Sequence, residues 1–561
     1  MKNQIVSLLS SNIDVLSSED ISQLIEIPPK PEMGDFAFPC FRLAKSYHKA
    51  PPVIAQELKE AIGEQSFLSE IKVVGGYLNF YVNKAQYAKQ IIDKYLTSKD
   101  YGSSDCGNGK TVCIDYSSPN VAKNFHVGHL RTTIIGNSLY KIYSKLGYQV
   151  VRINHLGDWG TQFGKLIVAY KKWGSQEAVE KNGIQELMDI YVKFHEEAEK
   201  DDSLNDEARA WFAKMEQGDE EALSIWKWFR DISLKEFMRV YDILGIEFDS
   251  YAGESFYRDK TADVVKQLTD DGLLVESQGA MVVPLDDYDM PPCIVAKKDG
   301  SSIYATRDLA AILYRKATYN FDRCLYVTGL EQKLHFAQVF KVIELMGNDY
   351  ASNLIHIPYG LVSLKSGKIS SRKGNVIFAE DLLRESINKT TNIIEENNPD
   401  IPDKEEVARQ VGIGAIIFND LYNQRIKDVV FDWEKLLNFD GETGPYVQYT
   451  YARASSVLRK TGDLPDTIDY TLLTDEASMG LLKEIERYPQ VVRDAADRYE
   501  PSVIARYSID MAHAFNKFYH ECQINVDDEN IKCTRTNIVK IARFIIKDSL
   551  SLLGIQCPEQ M

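Results

Sequence analysis

Nowhere in the chain do 18 apolar residues follow one another without charge, so no membrane-spanning helix is expected. Cysteine is scarce. There are eight in 561 residues, and none stands in a CxxC pair or a cysteine–histidine cluster. This argues against a disulfide scaffold and a structural zinc site and points to reduced thiols, two of them (Cys113 and Cys324) inside apolar runs. Positive charge is also short: 65 Lys and Arg against 82 Asp and Glu leave a net charge of −17. A surface uniformly attractive to nucleic acid is thereby excluded, although local basic tracks are not. The opening MKNQIVSLLSSNIDVLSSED lacks a basic end followed by an apolar core. No secretory or organellar presequence is expected, and the protein reads as cytoplasmic.

What is present is the composition of a globular protein, 44% apolar and 26% charged, in a chain long enough for two to four domains. Residues 1–100 read as a separate α+β module, with a proline-started helix in KAPPVIAQELKEAI (49–62) and an alternating strand in GGYLNFYV (75–82). The Gly-, Ser- and Asp-rich stretch 97–110 reads as a linker. From residue 111 strand, loop and helix repeat. TVCIDYS, GYQVVRINHLGD (147–158), RCLYVTG (323–329) and LIHIPYGLV (354–362) are short apolar runs bounded by turn signals, as in a doubly wound parallel sheet. Residues 173–225 are acidic and helix-prone and read as a helical insertion. After about residue 405 the strand signals vanish, and apolar residues recur at helical spacing to the end, for example Val503, Tyr507, Met511 and Phe518. The expected divisions are 1–100, a core at 108–380, a helical connection at 381–439 and an all-α bundle at 440–561.

Two loops of the core carry chemistry. SSPNVAKNFHVGHLRTTIIGNSL (117–139) follows the first strand and places His126 and His129 at a helix start. No acidic residue lies between them, and a zinc site would need a third ligand, so metal binding is disfavoured. Phosphate binding is favoured by the helix start, by Gly128, which lets a ligand approach the backbone, and by Lys123; simple capping and packing stays open for a motif this short. The second loop, LKSGKISSRKGN (364–375), sets Lys365, Lys368, Arg372 and Lys373 among glycines and serines. It fits a mobile polyphosphate wrap or, alternatively, a solvated basic surface.

HVGH followed about 240 residues later by KISSR resembles the paired HIGH and KMSKS signatures of class I aminoacyl-tRNA synthetases. INHLGDWGTQFG, LGIEFDSYAGESFY, YATRDLAA, FDWEKLLNFDGETGPYVQYTYAR and the ending LLGIQCPEQM extend the likeness, specifically to the arginyl-tRNA synthetases, over essentially the whole chain. The resemblance implies a Rossmann-type doubly wound core with a small α+β amino-terminal domain that touches the tRNA elbow and an α-helical anticodon-binding end. It implies ATP-dependent ligation of L-arginine to arginine tRNA through an arginyl-adenylate, with transfer to the 2′-OH of the terminal adenosine. Mg²⁺ accompanies ATP as substrate; no tightly bound metal and no membrane partner are implied, and a monomer is expected. Ser371 stands where the second lysine of KMSKS is usual, which leaves open how Lys123, Lys368, Arg372 and Lys373 share the phosphate charge.

On this resemblance His126, Gly128, His129, Lys123, Lys368, Ser370, Arg372 and Lys373 form the ATP and catalytic set. Asp115, Ser118, Asn120, His129, Tyr304, Asp308, Gln332 and Glu254 form the arginine set. Two of these placements have independent support: Tyr304 and Asp308 are four apart on one helical face, and Asp115 ends a strand at the sheet's carboxyl edge. Asp308 and Asp115 are expected at the guanidinium, Asn120 and Gln332 as polar orienters, and Glu254 at the substrate's amino group. The alternatives are a helix cap or an ion pair with Arg307 or Arg315 for Asp308, a backbone-amide partner for Asp115, and a turn carboxylate for Glu254. Trp159 is expected in the core, and His155 as a satisfied loop histidine. YTYARASSVLRK mixes aromatic and basic residues as single-stranded RNA binding needs, but an amphipathic helix with buried tyrosines explains it equally. A different HxGH nucleotidyltransferase and a non-catalytic RNA-binding paralogue are the competing functions.

Overall fold

The computed structural model describes residues 1–296, 304–364, 367–368 and 378–561. Lys365, Ser370, Ser371, Arg372 and Lys373 therefore lie outside the described residues, and Lys368 is described in its backbone alone. The chain divides into two compact units. One holds Met1–Tyr101, Ala454–Arg487 and Asp510–Ile545, and the other holds Gly102–Arg453, Tyr488–Ile509 and Ile546–Met561.

In the larger unit four apolar runs form an all-parallel sheet: β1 (Thr111–Asp115), β2 (Gln149–Ile153), β3 (Arg323–Gly329) and β4 (Leu354–Tyr359), in spatial order β4-β3-β1-β2. Val112, Cys113, Ile114, Cys324, Leu325 and Val327 are buried, as strands covered on both faces require. The chain passes from β1 to β2 on one side and then to β3 on the other. The strand order thus reverses between β1 and β3, and a crevice opens beyond their carboxyl ends at Asp115 and Gly329. The doubly wound core expected from the sequence is present.

Three helices flank the crevice: α1 (Val127–Lys145), α2 (Tyr304–Tyr319) and α3 (Lys333–Leu345). Helix α1 lies against the end of β1, where a Cβ on Gly136 would fall 2.1 Å from the Tyr116 ring; glycine is needed for that approach. Between β2 and α2 run the helices Thr161–Trp173, Gln176–Asn182, Ile184–Ala198, Ser203–Glu216 and Glu220–Leu244, with their own core around Trp159, Phe163, Phe194 and Phe229. They are followed by an antiparallel sheet of Val275–Ser277, Ala280–Val283 and Cys293–Ala296, which the sequence pattern did not single out.

The expectation that strands end before residue 405 needs correcting in one place. β5 (Val362–Leu364), which leads into the basic loop, pairs in parallel with β6 (Val429–Phe431). A three-residue strand is too short to show a period. The rest of the carboxy-terminal region is helical, including Lys404–Tyr422, Gly444–Thr461, Glu476–Asp497, Ser502–Glu521 and Glu529–Leu552.

In the smaller unit Phe36–Pro39, Leu68–Val74 and Tyr77–Val82 make an antiparallel sheet with Tyr77–Val82 in the middle. Helices Lys2–Ser10 and Pro51–Ile62 share a core with it through Leu9, Phe38, Ile54, Leu78 and Phe80. Pro51 sits in the first helical turn, where its missing N–H costs nothing.

Candidate active site

The loop from β1 to α1 is bent by three non-glycine residues in the left-handed region: Ser117 (φ 71°), Ser118 (φ 45°) and Ala122 (φ 60°). Such residues cost on the order of 1 kcal/mol each and persist where surrounding contacts enforce them. Those contacts are present. The Ser117 amide donates to Thr132 Oγ1 (3.2 Å), the Ser118 amide to Asn154 Oδ1 (3.2 Å) and the Ala122 amide to Ser233 Oγ (3.0 Å). The strained loop brings Ser118 and Asn120 to the crevice. Asn120 bridges to Gly157, where any Cβ would meet its Oδ1 at 2.2 Å.

At the start of α1 the two imidazoles cap the helix themselves. His126 Nδ1 accepts from the Gly128 amide (3.1 Å), and His129 Nδ1 accepts from the His126 amide (3.2 Å). The rings stack with centroids 3.8 Å apart. A ring whose Nδ1 accepts carries its proton on Nε2. Burial first, then positive neighbours (Lys123 for both rings, and each His126 charge for His129), lower both pKa values. The pair is therefore two neutral Nε2–H donors at neutral pH. The Gly128 amide, expected to be open to phosphate, is occupied by the His126 ring. Lys123 is exposed beside the pair.

The histidines border a cavity of about 640 Å³ at the switch point between β1 and β3. Asp115, Ser118, Asn120, His126, Gly128, His129, Glu254, Tyr304, Asp308 and Gln332 all line it, so the structure brings together the described members of both residue sets except Lys123 and Lys368. The described flanks of the basic loop also reach it. Val362 lines the cavity, and on the far side Phe378 bridges to His126 while the Ala379 amide donates to Phe125 O (2.9 Å).

Four acidic side chains line this cavity; Glu331 is exposed, and the other three, from different elements, are already matched. Asp115 forms an ion pair with Arg315 Nη2 (2.7 Å) and accepts from Ser118 Oγ (2.8 Å). Glu254, at the start of the short helix Glu254–Tyr257, lies 3.2 Å from Arg307 Nη2, an ion pair outside hydrogen-bond alignment. Asp308 on α2 meets His335 Nε2 on α3 at 2.6 Å, with His155 Nε2 at 4.0 Å. Neither Arg307 nor Arg315 pairs with Asp308. Tyr304, one turn earlier, is exposed at the rim with the Arg307 guanidinium over its ring. Asp158 is taken up by Ser255 and Arg230, and Trp159 packs edge-on against Trp226.

Burial pushes the Glu254 carboxyl up to about 8, against the pull of Arg307. Its folded pKa lies above its unfolded value, so the stability tied to its protonated form is full below about 4.5 and is lost as pH rises to about 8. Glu254→Gln, which mimics the protonated form, is expected to flatten the fall in melting temperature between pH 5 and pH 8. Parallel slopes for variant and wild type in that window would contradict the assignment.

Two contributors escaped sequence reasoning. Arg131 on α1 is fully buried; its Nη1 donates to Gly360 O (2.9 Å) and Leu361 O (3.2 Å), and its Nη2 to Arg425 O (3.1 Å) and Lys427 O (2.9 Å). Its Nε lies 3.1 Å from Asp420 Oδ1. It ties the histidine helix to the base of the basic loop. His335 is the other. An arginine within HLRTT and a histidine within KLHF carry no local signal of either role.

Family models match almost the entire chain: tRNA synthetases class I (R), catalytic domain, over 91–433; DALR anticodon binding domain over 447–561; and Arginyl tRNA synthetase N terminal domain over 3–82. The chain belongs to the arginyl-tRNA synthetase family. The arginine–tRNA ligase of Clostridium botulinum is 56% identical over 562 residues, covering all of both chains, and that of Alkaliphilus metalliredigens is 54% identical over all of this chain and 99% of its own. The solved arginyl-tRNA synthetase of Thermus thermophilus, 24% identical, shares the fold over all of this chain and 99% of its own with a TM-score of 0.80. In this synthetase the tyrosine reading of the carboxy-terminal helix resolves toward packing at one position: Tyr451 is fully buried and donates to Glu559 (2.6 Å).

Proposed function

We propose that this site activates L-arginine with ATP and passes it to arginine tRNA. The observation that carries the reading is the single cavity in which the neutral histidine pair meets Asp115, Glu254 and Asp308. In the first step the arginine carboxylate attacks the α-phosphorus and the bond to the bridging oxygen breaks, releasing pyrophosphate and leaving arginyl-adenylate. In the second, the 2′-OH of the terminal adenosine attacks the arginyl carbonyl and AMP departs. No protein nucleophile is needed, since positioning and charge stabilisation do the work.

Asp308, with Tyr304 beside it, takes the guanidinium, where a carboxylate can meet two N–H groups of one plane. Asp115 was expected there too. Because Arg315 and Ser118 already occupy it, we assign it the task of holding those two groups. Asn120 and Gln332 orient the substrate, and Glu254 faces its amino group. His126 and His129 donate Nε2–H to phosphate oxygens at Gly128, and Lys123 adds charge; Lys368, Ser370, Arg372 and Lys373 are assigned to the phosphates as well. Mg²⁺ comes with the triphosphate as substrate, held by its phosphates and water. The amino-terminal module and the helical end take the tRNA, and the reading carries with it a monomer working in the cytoplasm.

The test is arginine-dependent exchange of labelled pyrophosphate into ATP, with and without arginine tRNA, followed by charging of that tRNA. Charging is expected; its absence under every condition would sink the reading. His126→Ala is expected to slow exchange about 100-fold, as lost transition-state donors do, while unfolding costs about 1 kcal/mol for the lost cap. Gross unfolding of this variant would instead make His126 a packing residue. Tight tRNA binding without any ATP binding would favour the non-catalytic alternative.

A further inference from the structure

We propose that His335 stands in for the substrate's guanidinium: it sits on Asp308 as an imidazolium in the empty site and gives up its proton when arginine takes that place. The inference rests on the reading of Asp308 as the guanidinium's partner and adds to it a named proton and a specificity role for a residue outside either set.

Of the matched acidic side chains in the cavity, Asp115 is ion-paired with Arg315 at 2.7 Å and Glu254 lies 3.2 Å from Arg307. Arginine keeps its charge at any pH the protein meets, so neither pair can release its cation. Asp308 differs. Its Oδ2 lies 2.6 Å from His335 Nε2, and imidazole is the one cationic side chain that becomes neutral near pH 7. Asp308 is 24% exposed and His335 31%, so both remain open to an incoming ligand.

The surroundings agree with a charged His335. Asp308 raises its pKa by hydrogen bond and by charge, enough to overcome the lowering effect of burial. From β4 it faces His356, which burial holds neutral with a pKa of about 4 and which bonds Thr328 Oγ1 at 2.9 Å. Asp308 in turn faces His155, Arg315, Glu254 and Cys293. His155 is kept neutral chiefly by burial. A second cation brought onto Asp308 would thus share one carboxylate with the imidazolium, and two like charges a few ångströms apart in a partly desolvated site do not both stay ionised. The guanidinium cannot yield; the imidazolium can. The exchange balances as arginine cation plus His335 imidazolium giving bound arginine cation, neutral His335 and one proton to the buffer. A ligand of the same shape with an uncharged urea end could not displace the imidazolium, so His335 sharpens selection for charge.

The linkage has a sign. Proton release on binding makes arginine affinity climb with pH up to the pKa of His335 in the empty site, and then level. The experiment is calorimetric titration of L-arginine into the full-length protein at pH 7 in phosphate and in Tris, whose different ionisation heats report released protons. The wild type is expected to release more protons than His335→Gln, which keeps a donor for Asp308 but does not titrate, and the variant's affinity is expected to lose its rise between pH 6 and 8. Equal proton release in both proteins would overturn the proposal and make Glu254 the source. Wild-type binding of the same heat in both buffers would overturn it as well. Asp308→Asn separates the parent reading. If that variant binds arginine like the wild type, the guanidinium assignment itself fails; if binding is lost there but His335→Gln changes no proton count, the assignment stands and this inference falls.

Discussion

Asp308→Asn is expected to raise the KM for arginine about 150- to 5,000-fold while leaving the KM for ATP within about twofold. The substitution keeps shape and removes charge. A guanidinium entering a partly desolvated site then lacks the carboxylate that offsets its lost hydration, a deficit of about 3–5 kcal/mol when one partner of such a pair is removed. Asp115 and Glu254 cannot take over, because Arg315 and Arg307 already claim them. The proposed phosphate side lies at the start of α1, not on α2, and this is why ATP affinity is expected to be spared. Steady-state pyrophosphate exchange at varied arginine and varied ATP separates the two constants. An unchanged arginine KM removes Asp308 from the substrate pocket.

The second large effect is expected at Arg131. Arg131→Lys should lower stability by about 3 kcal/mol and cut the rate of pyrophosphate exchange more than tenfold, with arginine KM close to wild type. The guanidinium spans four backbone carbonyls, at 360, 361, 425 and 427, and reaches Asp420 as well. A single ammonium cannot reach both pairs, so at least two of these carbonyls lose their donor. The effect grows with pH. Burial raises the Asp420 carboxyl to about 6, with Arg131 opposing, so its contribution to stability is lost as pH rises from about 4 through 6. A weaker partner raises that pKa further, and the variant's deficit should widen between pH 5 and 7. Thermal melts at pH 5 and 7 check this; melting within about 2 °C of wild type at both would show that the four carbonyls do not depend on this donor.

The two substitutions mark where local sequence pattern informs and where it stops. RCLYVTG is continuously apolar between turns, and the strand covers the same seven residues, 323–329, because a strand buried on both faces needs that composition. The helix start at HVGH was legible for the same local reason. What the imidazoles do there was not: each ring folds back on an amide within three residues, and only coordinates reveal that orientation. The carboxylates were found, but not their partners. Asp115 and Arg315 are 200 residues apart, and Arg131 and Lys427 296, so no window of sequence contains either pair. The left-handed turns at Ser117, Ser118 and Ala122 were equally hidden, since none of the three is the glycine that would have announced them.

The pairing of β5 with β6 also dictates an order of assembly. As the chain leaves the ribosome, the histidine helix and the parallel strands through residue 359 emerge first. The strand that bears the basic loop waits for Val429–Phe431, and Arg131 waits for the carbonyls of residues 425 and 427. Closing those long loops costs chain entropy, and a nascent chain shorter than about 430 residues has neither the full β5–β6 pairing nor both Arg131 bonds to the carbonyls of 425 and 427. Adenylate chemistry in this synthetase thus begins only after most of the message has been read.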